Sequence, residues 1–328
     1  MHVLPGPTTA YLVGGMPVRV CADGDVADWV LPVLRACGRP AHVGGPVAVV
    51  RIRSVPARPP AEGRAVATVG ALTLRARGAD RFIEGVRVTT RVDPEASEAD
   101  VYVPRGGSAG LRLEAQVHLT TSFAVLLRER GGFVLHAAAL VSDAGGVLVV
   151  GPSDVGKSTL SYTLVRAGWS AVSDDSVVLQ RGPAGVAVLP LRRAFGLDPD
   201  AADRFPEIRA HARPQPGDPG KWSVDVAAIH PGRLAESCVP GAVVFPEITG
   251  ERESALVPLR APDAFLRLAA QSALRGATDG RAPEHHAVFA DLLGHARPAR
   301  LRAGTDLLDP ATADRVLRRA LDPRHPDD

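Results

Sequence analysis

The chain is almost without lysine. Of its 38 basic residues 36 are arginine, and the two lysines are Lys157 and Lys221. Under such a bias, a position kept as lysine needs a compact ammonium rather than a flat guanidinium. An excess of either charge is also missing. The 38 basic and 36 acidic residues leave a formal net charge of +2, so no overall field draws the protein to nucleic acid or an acidic membrane. There is no polybasic run or basic tail, which argues further against a nucleic-acid partner. Cysteine is scarce: Cys21, Cys37 and Cys238 are odd in number and far apart. They suit reduced thiols in the cytoplasm better than a disulfide framework or a metal site. Long apolar runs are absent too. Nothing reaches the roughly 18 continuous apolar residues that span a bilayer, and Pro and Gly interrupt residues 1–18, so no signal peptide is expected. The expectation is a cytoplasmic protein with neither membrane nor nucleic-acid partner.

What is present is enough chain, 328 residues, for one large domain or two ordinary ones. Residues 16–105 show short alternating runs broken by Gly and Pro, at 46–55, 65–77, 82–92 and 101–103. In the clearest, Val86, Val88, Thr90 and Val92 share one face, as in a half-buried strand. A short helix is expected at 28–36. Residues 1–112 therefore read as a β-rich N-terminal domain without a chemical motif, and 113–328 as a second domain. The second opens with a helix at 113–130, on which Val117, Phe123, Ala124 and Leu127 share a face. Apolar runs at 133–141 and 147–150 flank a turn at 142–146 and read as a β-hairpin. A helix at 157–167 and a strand at 169–173 follow. Beyond them come strands at 186–191, 242–245, 255–259 and 299–302, helices at 262–274 and 310–321, and a Pro/Gly-rich loop at 213–220. Strands and helices mix throughout, so the fold class is α/β.

Chemistry concentrates in Gly151-Pro152-Ser153-Asp154-Val155-Gly156-Lys157-Ser158-Thr159, which matches the phosphate-loop pattern G-x-x-x-x-G-K-[ST]. Glycines let the backbone N–H groups wrap around phosphate oxygens, and the following helix adds its positive end. Lys157 is placed to reach the β- and γ-phosphates, and the Ser158 hydroxyl to ligate Mg²⁺. ATP with Mg²⁺ is the expected ligand. Asp174-Asp175 ends the next strand, one expected to run parallel to the first, at the carboxyl edge where α/β sheets collect ligands. A carboxylate there can hold Mg²⁺ through water or accept a proton from an attacking hydroxyl. His136 lies in an apolar run, where a histidine viewed alone is more often a satisfied core residue. The hairpin register, however, brings it opposite about Pro152, beside the phosphates. Arg192-Arg193 is either a γ-phosphate clamp or a solvated pair. Lys221, after the Pro/Gly loop, has either a phosphate or substrate role or none. His285-His286 lacks a second ligand set and reads as a solvated helix face.

The run Leu135-His136-Ala137-Ala138-Ala139-Leu140, the loop fifteen residues after His136, and Asp174 seventeen residues after Lys157 form a spaced set. It resembles the HPr kinase/phosphorylase family and its HPr-kinase-related relatives, which include kinases of lasso-peptide biosynthesis. The likeness covers residues 133–179 closely and the rest to about 321 in outline. It implies a P-loop kinase core similar to HPr kinase and phosphoenolpyruvate carboxykinase, transferring the γ-phosphoryl group of ATP to a Ser or Thr hydroxyl of a peptide or protein. One of Asp174 and Asp175 is then the base and the other sits near Mg²⁺ or His136, with Ser158 and Asp175 as the expected metal-side residues. Two positions depart from the family. Asp154 stands where it usually has Gly, and Leu191-Arg192-Arg193 stands where its acidic-Arg-Gly signature falls. The second argues against phosphorolysis and against HPr as substrate. A small-molecule kinase with the same apparatus, or a non-enzymatic nucleotide-dependent regulator, remains open, as does a homo-oligomer.

Overall fold

The computed structural model describes residues 2–4, 9–42, 44–215, 218–273 and 280–322. Contacts divide the chain into two compact units, Met1–Phe133 with Ala273–His285, and Val134–Ser272 with His286–Asp328. The division falls later than residue 112, because the helix expected to open the second domain packs on strands of the first unit.

In the first unit the strands are β1 (His2–Leu4), β2 (Thr9–Val13), β3 (Met16–Ala22), β4 (Gly38–His42) and β5 (Ala48–Val55). Then come β6 (Arg64–Val69), β7 (Leu72–Arg77), β8 (Asp80–Glu84), β9 (Thr89–Asp93) and β10 (Glu98–Pro104), with helices α1 (Gly24–Cys37) and α2 (Ala109–Glu129). They form one ten-stranded sheet in the order β4-β2-β3-β5-β10-β9-β8-β7-β6, with β1 on β3. Period-two alternation drives it. Ala48, Val50 and Ile52 of β5 and Ala99, Val101 and Val103 of β10 are buried. The intervening positions carry cross-strand ion pairs, Arg51 with Glu98 at 2.6 Å and Arg53 with Asp100 at 2.7 Å.

Two sequence expectations fail here. The run 82–92 is two strands, and Val86 is 74% exposed. The Glu114 carboxylate accepts the N–H groups of Arg87 (2.7 Å) and Val88 (3.0 Å), fixing a turn where continuous strand was expected. On α2, Phe123, Ala124 and Leu127 are buried as expected, with Leu111, Ala115 and Leu119, whereas Val117 is 39% exposed and falls outside the stripe. His285 is not solvated either. It is buried, stacks on Phe133 with centroids 4.5 Å apart, and its Nδ1 lies 3.0 Å from an Arg128 guanidinium nitrogen. Among the described residues no group of three His, Cys, Asp or Glu is placed to hold a metal ion.

The second unit holds β11 (Gly132–Ser142), β12 (Gly145–Val150), α3 (Lys157–Arg166), β13 (Ser170–Ser173), β14 (Ser176–Gly182) and β15 (Gly185–Pro190). Next are β16 (Phe195–Leu197), α4 (Ala201–Arg204), β17 (Ala212–Gln215), β18 (Asp218–Val224) and α5 (Val226–Ile229). Then follow β19 (Pro240–Ile248), β20 (Ala255–Pro258), α6 (Ala261–Gln271), α7 (Ala282–His295, whose residues up to His285 belong to the first unit), β21 (Arg297–Ala303) and α8 (Pro310–Leu321). An eight-stranded sheet runs β15-β14-β11-β12-β19-β21-β20, with β13 on β11. β12 is parallel to β19, and β19 to β21. Val147, Leu148, Val149 and Val150 of β12 are all fully buried, the continuous apolar run of a strand covered on both faces. The expected loop at 213–220 is instead largely a hairpin of β17 and β18 in a three-stranded sheet with β16, with 216–217 outside the described residues. Pro214 is tolerated because β17 is an edge strand. The helix expected to 274 ends at Gln271, and residues 274–279 lie outside the described set. No helix among the described residues is long and apolar enough to cross a membrane, and all three cysteines are buried free thiols.

Trp169 anchors the core under α3. It is fully buried, and its indole N–H donates to Asp314 Oδ1 of α8 at 2.7 Å. Trp169→Ala is expected to cost about 3–5 kcal/mol of unfolding free energy, from lost burial and the cavity left. Urea denaturation measures it, and a loss under about 1 kcal/mol would show the site collapsing around the change.

Candidate functional site

The site begins with the hairpin. β11 and β12 pair with Ala137 opposite Val150 and Ser142 opposite Gly145. The connection is thus the two residues Asp143 and Ala144, one fewer than a turn centred on Ala144 implies. Continuing that register sets His136 opposite Gly151, one residue short of Pro152. On its other flank β11 meets the acid pair, where the Ala137 N–H donates to the Asp175 carbonyl at 3.0 Å. β13, antiparallel to β11, runs in the direction of β12, with β11 between them. His136 therefore sits on the strand between the glycine-rich loop and the two aspartates.

The loop leaves β12 and enters α3 through Gly156, whose φ of 83° is in the left-handed region that glycine adopts freely. Asp154 also has a positive φ, 66°. Asp is among the few non-glycine residues that tolerate it, since its short side chain bonds locally. The Asp154 carboxylate is bound by Lys221 Nζ of β18 at 2.9 Å. That hydrogen bond, followed by the ammonium's charge, lowers its pKa. The two lysines of the chain thus converge on one loop.

Lys157 is nearly buried and uses all three N–H donors. Its Nζ donates to the carbonyls of Gly151 (2.8 Å) and Pro152 (2.6 Å) and lies 2.9 Å from His136 Nε2. An ammonium only donates, so Nε2 must accept, and the histidine proton is on Nδ1. Nδ1 faces Asp175 Oδ1 at 3.4 Å. Burial lowers the His136 pKa and Lys157 lowers it further, against the pull of Asp175, so the ring is neutral near pH 7. Burial also lowers that of Lys157, offset in part by the two aspartates.

The acids occupy different environments. Burial pushes Asp175 up, but the Arg192 guanidinium, 3.7 Å from Oδ2, the His136 ring and the Ser176 hydroxyl at 2.9 Å outweigh it, and the net shift is downward. Asp174 is fully buried. Its Oδ2 accepts the Gly196 N–H at 2.9 Å, while Oδ1 is buried without a hydrogen-bond partner. Burial, reinforced by the Asp175 charge, raises its pKa to about 6 despite the Gly196 N–H and the Ser158 hydroxyl, which lies against the same carboxyl. Asp175, expected on the metal side with Ser158, is instead engaged by His136, Arg192 and Ser176. The carboxyl next to Ser158 belongs to Asp174.

His136, Ser153, Asp154, Gly156, Lys157, Ser158, Thr159 and Asp175 line one pocket. Of the other candidates, Gly151 contributes a carbonyl behind it, Val155 lines the opposite side of the loop, and Asp174 lies beneath. The Arg pair divides. Arg192 reaches Asp175, whereas Arg193 pairs with Glu236 at 2.9 Å. Sequence reasoning missed Gly196, Leu197 and Asp198, which also line the pocket. They arrive with β16 and the turn after it, and no local signal marks them.

No family model matches the chain, and no curated protein does. Among solved structures it is similar to the HPr(Ser) kinase/phosphatase from Coxiella burnetii. The likeness has a TM-score of 0.29 and 15% identity, covering 56% of this chain and 94% of that one. At that level it identifies no family and decides no residue's role.

Proposed function

We propose that the chain is an ATP- and Mg²⁺-dependent kinase that transfers the γ-phosphoryl group to a Ser or Thr hydroxyl of a peptide or protein. The observation that carries this reading is the convergence of Lys157, Ser158, His136 and Asp175 on one pocket, with an unpaired buried oxygen of Asp174 directly behind. A buried carboxylate oxygen without a donor is costly unless a cation or proton meets it. Asp174 and Ser158 would hold Mg²⁺, which commonly takes one or two protein ligands and completes its shell with water and phosphate oxygens. When bound, the ion would neutralise charge on the phosphates.

The chain's own groups divide the remaining work. Lys157 spends its three N–H groups on two carbonyls and His136, so on nucleotide binding it would exchange at least one of those bonds for an oxygen of the terminal phosphates. Asp175, kept ionised by Arg192 and His136, accepts the proton of the attacking hydroxyl, and the His136 Nδ1–H orients it. In a loose phosphoryl-transfer transition state the hydroxyl needs positioning more than early deprotonation, so a base with a lowered pKa suffices. Lys221 cancels the Asp154 charge that would otherwise face the phosphates. An uncompensated Asp154 charge would favour a non-enzymatic nucleotide-dependent regulator, and the Lys221 ion pair supports the kinase reading over it.

Incubation of candidate peptides with ATP and Mg²⁺, followed by mass spectrometry, tests the reading. The expected result is a gain of one phosphate that disappears with Lys157→Ala. Nucleotide binding without phosphate on any peptide, but with phosphate on a free amino acid or sugar, would overturn the peptide acceptor. Lys221→Ala is expected to raise the nucleotide Kd about tenfold, because it leaves Asp154 uncompensated, and Asp154→Gly should recover much of that loss. Unchanged affinity in Lys221→Ala would remove the lysine from the phosphate site.

A further inference from the structure

On the other side of the Gly151–Thr159 loop from His136 and Asp175 lies a second, apolar cleft of about 250 Å³. Val155 of the loop lines one wall, and Ile248, at the end of β19, and Leu308 line another. Gly156 and Thr159 line both this cleft and the phosphate pocket, so the two are contiguous through them. Ile248 is 64% exposed and Leu308 40% exposed. Large apolar side chains left to solvent side by side on a concave surface mark a binding site more often than an accident of folding.

Several backbone polar atoms along the cleft are spent on the protein itself, and its exposed surface is mainly apolar. The Ala303 carbonyl accepts the Thr249 N–H at 3.2 Å, the Gly304 N–H donates to Ser254 Oγ at 2.8 Å, and the Thr305 N–H donates to the Glu251 carbonyl at 3.0 Å. Arg204, the charged residue among those lining it, pairs with Asp200 at 3.2 Å. Such walls grip the faces of a flat ring and leave its hydrogen-bonding edge mostly unread.

We infer that this cleft takes the base and ribose of the nucleotide whose phosphates lie on the loop, and that it discriminates weakly between purines. The inference rests on the kinase reading in needing phosphates at Lys157. It also gives the bound nucleotide a direction, with the reacting end toward Asp175 and the nucleoside toward Ile248. Apolar contact with ring faces is insensitive to the substituents that separate adenine from guanine. Discrimination between them requires placed donors and acceptors.

Calorimetry on the full chain with the Mg²⁺ complexes of ATP, GTP and inorganic tripolyphosphate tests it. ATP is expected to bind roughly thirtyfold tighter than tripolyphosphate, the effect of hiding on the order of 80 Å² of apolar surface. GTP is expected within about threefold of ATP, consistent with apolar contact alone. Ile248→Ser and Leu308→Ser change exposed residues, so melting temperatures should hold. Both should shrink the gap between ATP and tripolyphosphate without altering tripolyphosphate affinity. Equal affinity for ATP and tripolyphosphate, or a gap that survives both substitutions, overturns the cleft assignment. A preference for ATP over GTP beyond about thirtyfold overturns its weak discrimination. If neither ATP nor tripolyphosphate binds, the phosphate-loop reading itself fails and the inference falls with it.

Discussion

Asp175→Asn is expected to leave nucleotide bound and to slow phosphoryl transfer by roughly 10²–10⁴-fold, the usual contribution of a positioned base. The substitution keeps shape and one acceptor oxygen, which can meet the His136 Nδ1–H while the Ser176 hydroxyl turns to accept from the amide N–H₂. What it removes is the negative charge between Arg192 and His136 and the capacity to take a proton. An effect on kcat with little change in nucleotide Kd separates this from a collapsed site. The pH dependence adds a second readout. The Asp175 pKa lies below the ordinary carboxylate value, so its protonation cannot limit activity near neutrality. Any acid limb near pH 6 therefore belongs to another group, and it should persist in whatever activity the Asn variant retains. Full activity in Asp175→Asn would take the base role away from it. Loss of nucleotide binding would make it a structural anchor for Lys157.

The parts of the site that the sequence made legible are those joined by short chain distances. The glycine-rich loop follows β12 directly, and hairpin arithmetic brought His136 to within one residue of the position that continuing the Ala137–Val150 register gives it. The even, two-residue turn accounts for the remaining shift, because nothing in Ser142–Gly146 distinguishes two turn residues from three. The acid pair was legible as a pair but not in its division of labour. Sequence cannot tell that one carboxyl receives the Gly196 N–H and is sealed in, while its neighbour meets Arg192. Gly196, Lys221 and the Ile248 wall come from β16, β18 and β19, and only the folded sheets bring them to the loop. In the first unit, alternation identified β5 and β10 but misread Val86, where a distant carboxylate, Glu114, imposes a turn. His285 was misread for the same kind of reason. Its partners Arg128 and Phe133 are remote in sequence, so adjacency to His286 was the only visible cue and it pointed outward.

Asp174→Asn should move stability and Mg²⁺ dependence in opposite directions. The folded Asp174 pKa is raised to about 6 from an unfolded value near 3.8. An acid with a raised folded pKa favours the folded state when protonated. The favourable term is therefore present below about pH 4 and lost as pH rises through about 6, leaving the buried charge as a cost above that. Asn carries no charge, so the variant should match wild type near pH 4 and exceed it near pH 8. The excess is at most about 3 kcal/mol, and urea denaturation at the two pH values measures it. Without Mg²⁺, then, removing the charge stabilises. With Mg²⁺ and nucleotide the sign reverses. In the kinase reading the unpaired oxygen of Asp174 and the Ser158 hydroxyl hold the cation, so the variant should lose most of the gain in ATP affinity that Mg²⁺ gives the wild type. Phosphoryl transfer should fall by roughly 10³-fold or more, comparable to removal of a principal charge stabiliser. The wild-type protein should show the same coupling as an acid limb near pH 6, where protons compete with Mg²⁺ for one carboxyl. A variant more stable at pH 8 but with unaltered Mg²⁺ dependence would make Asp174 a buried charge with no part in cation binding. A variant less stable at pH 8 would mean that the carboxylate already has a compensating partner in the folded protein.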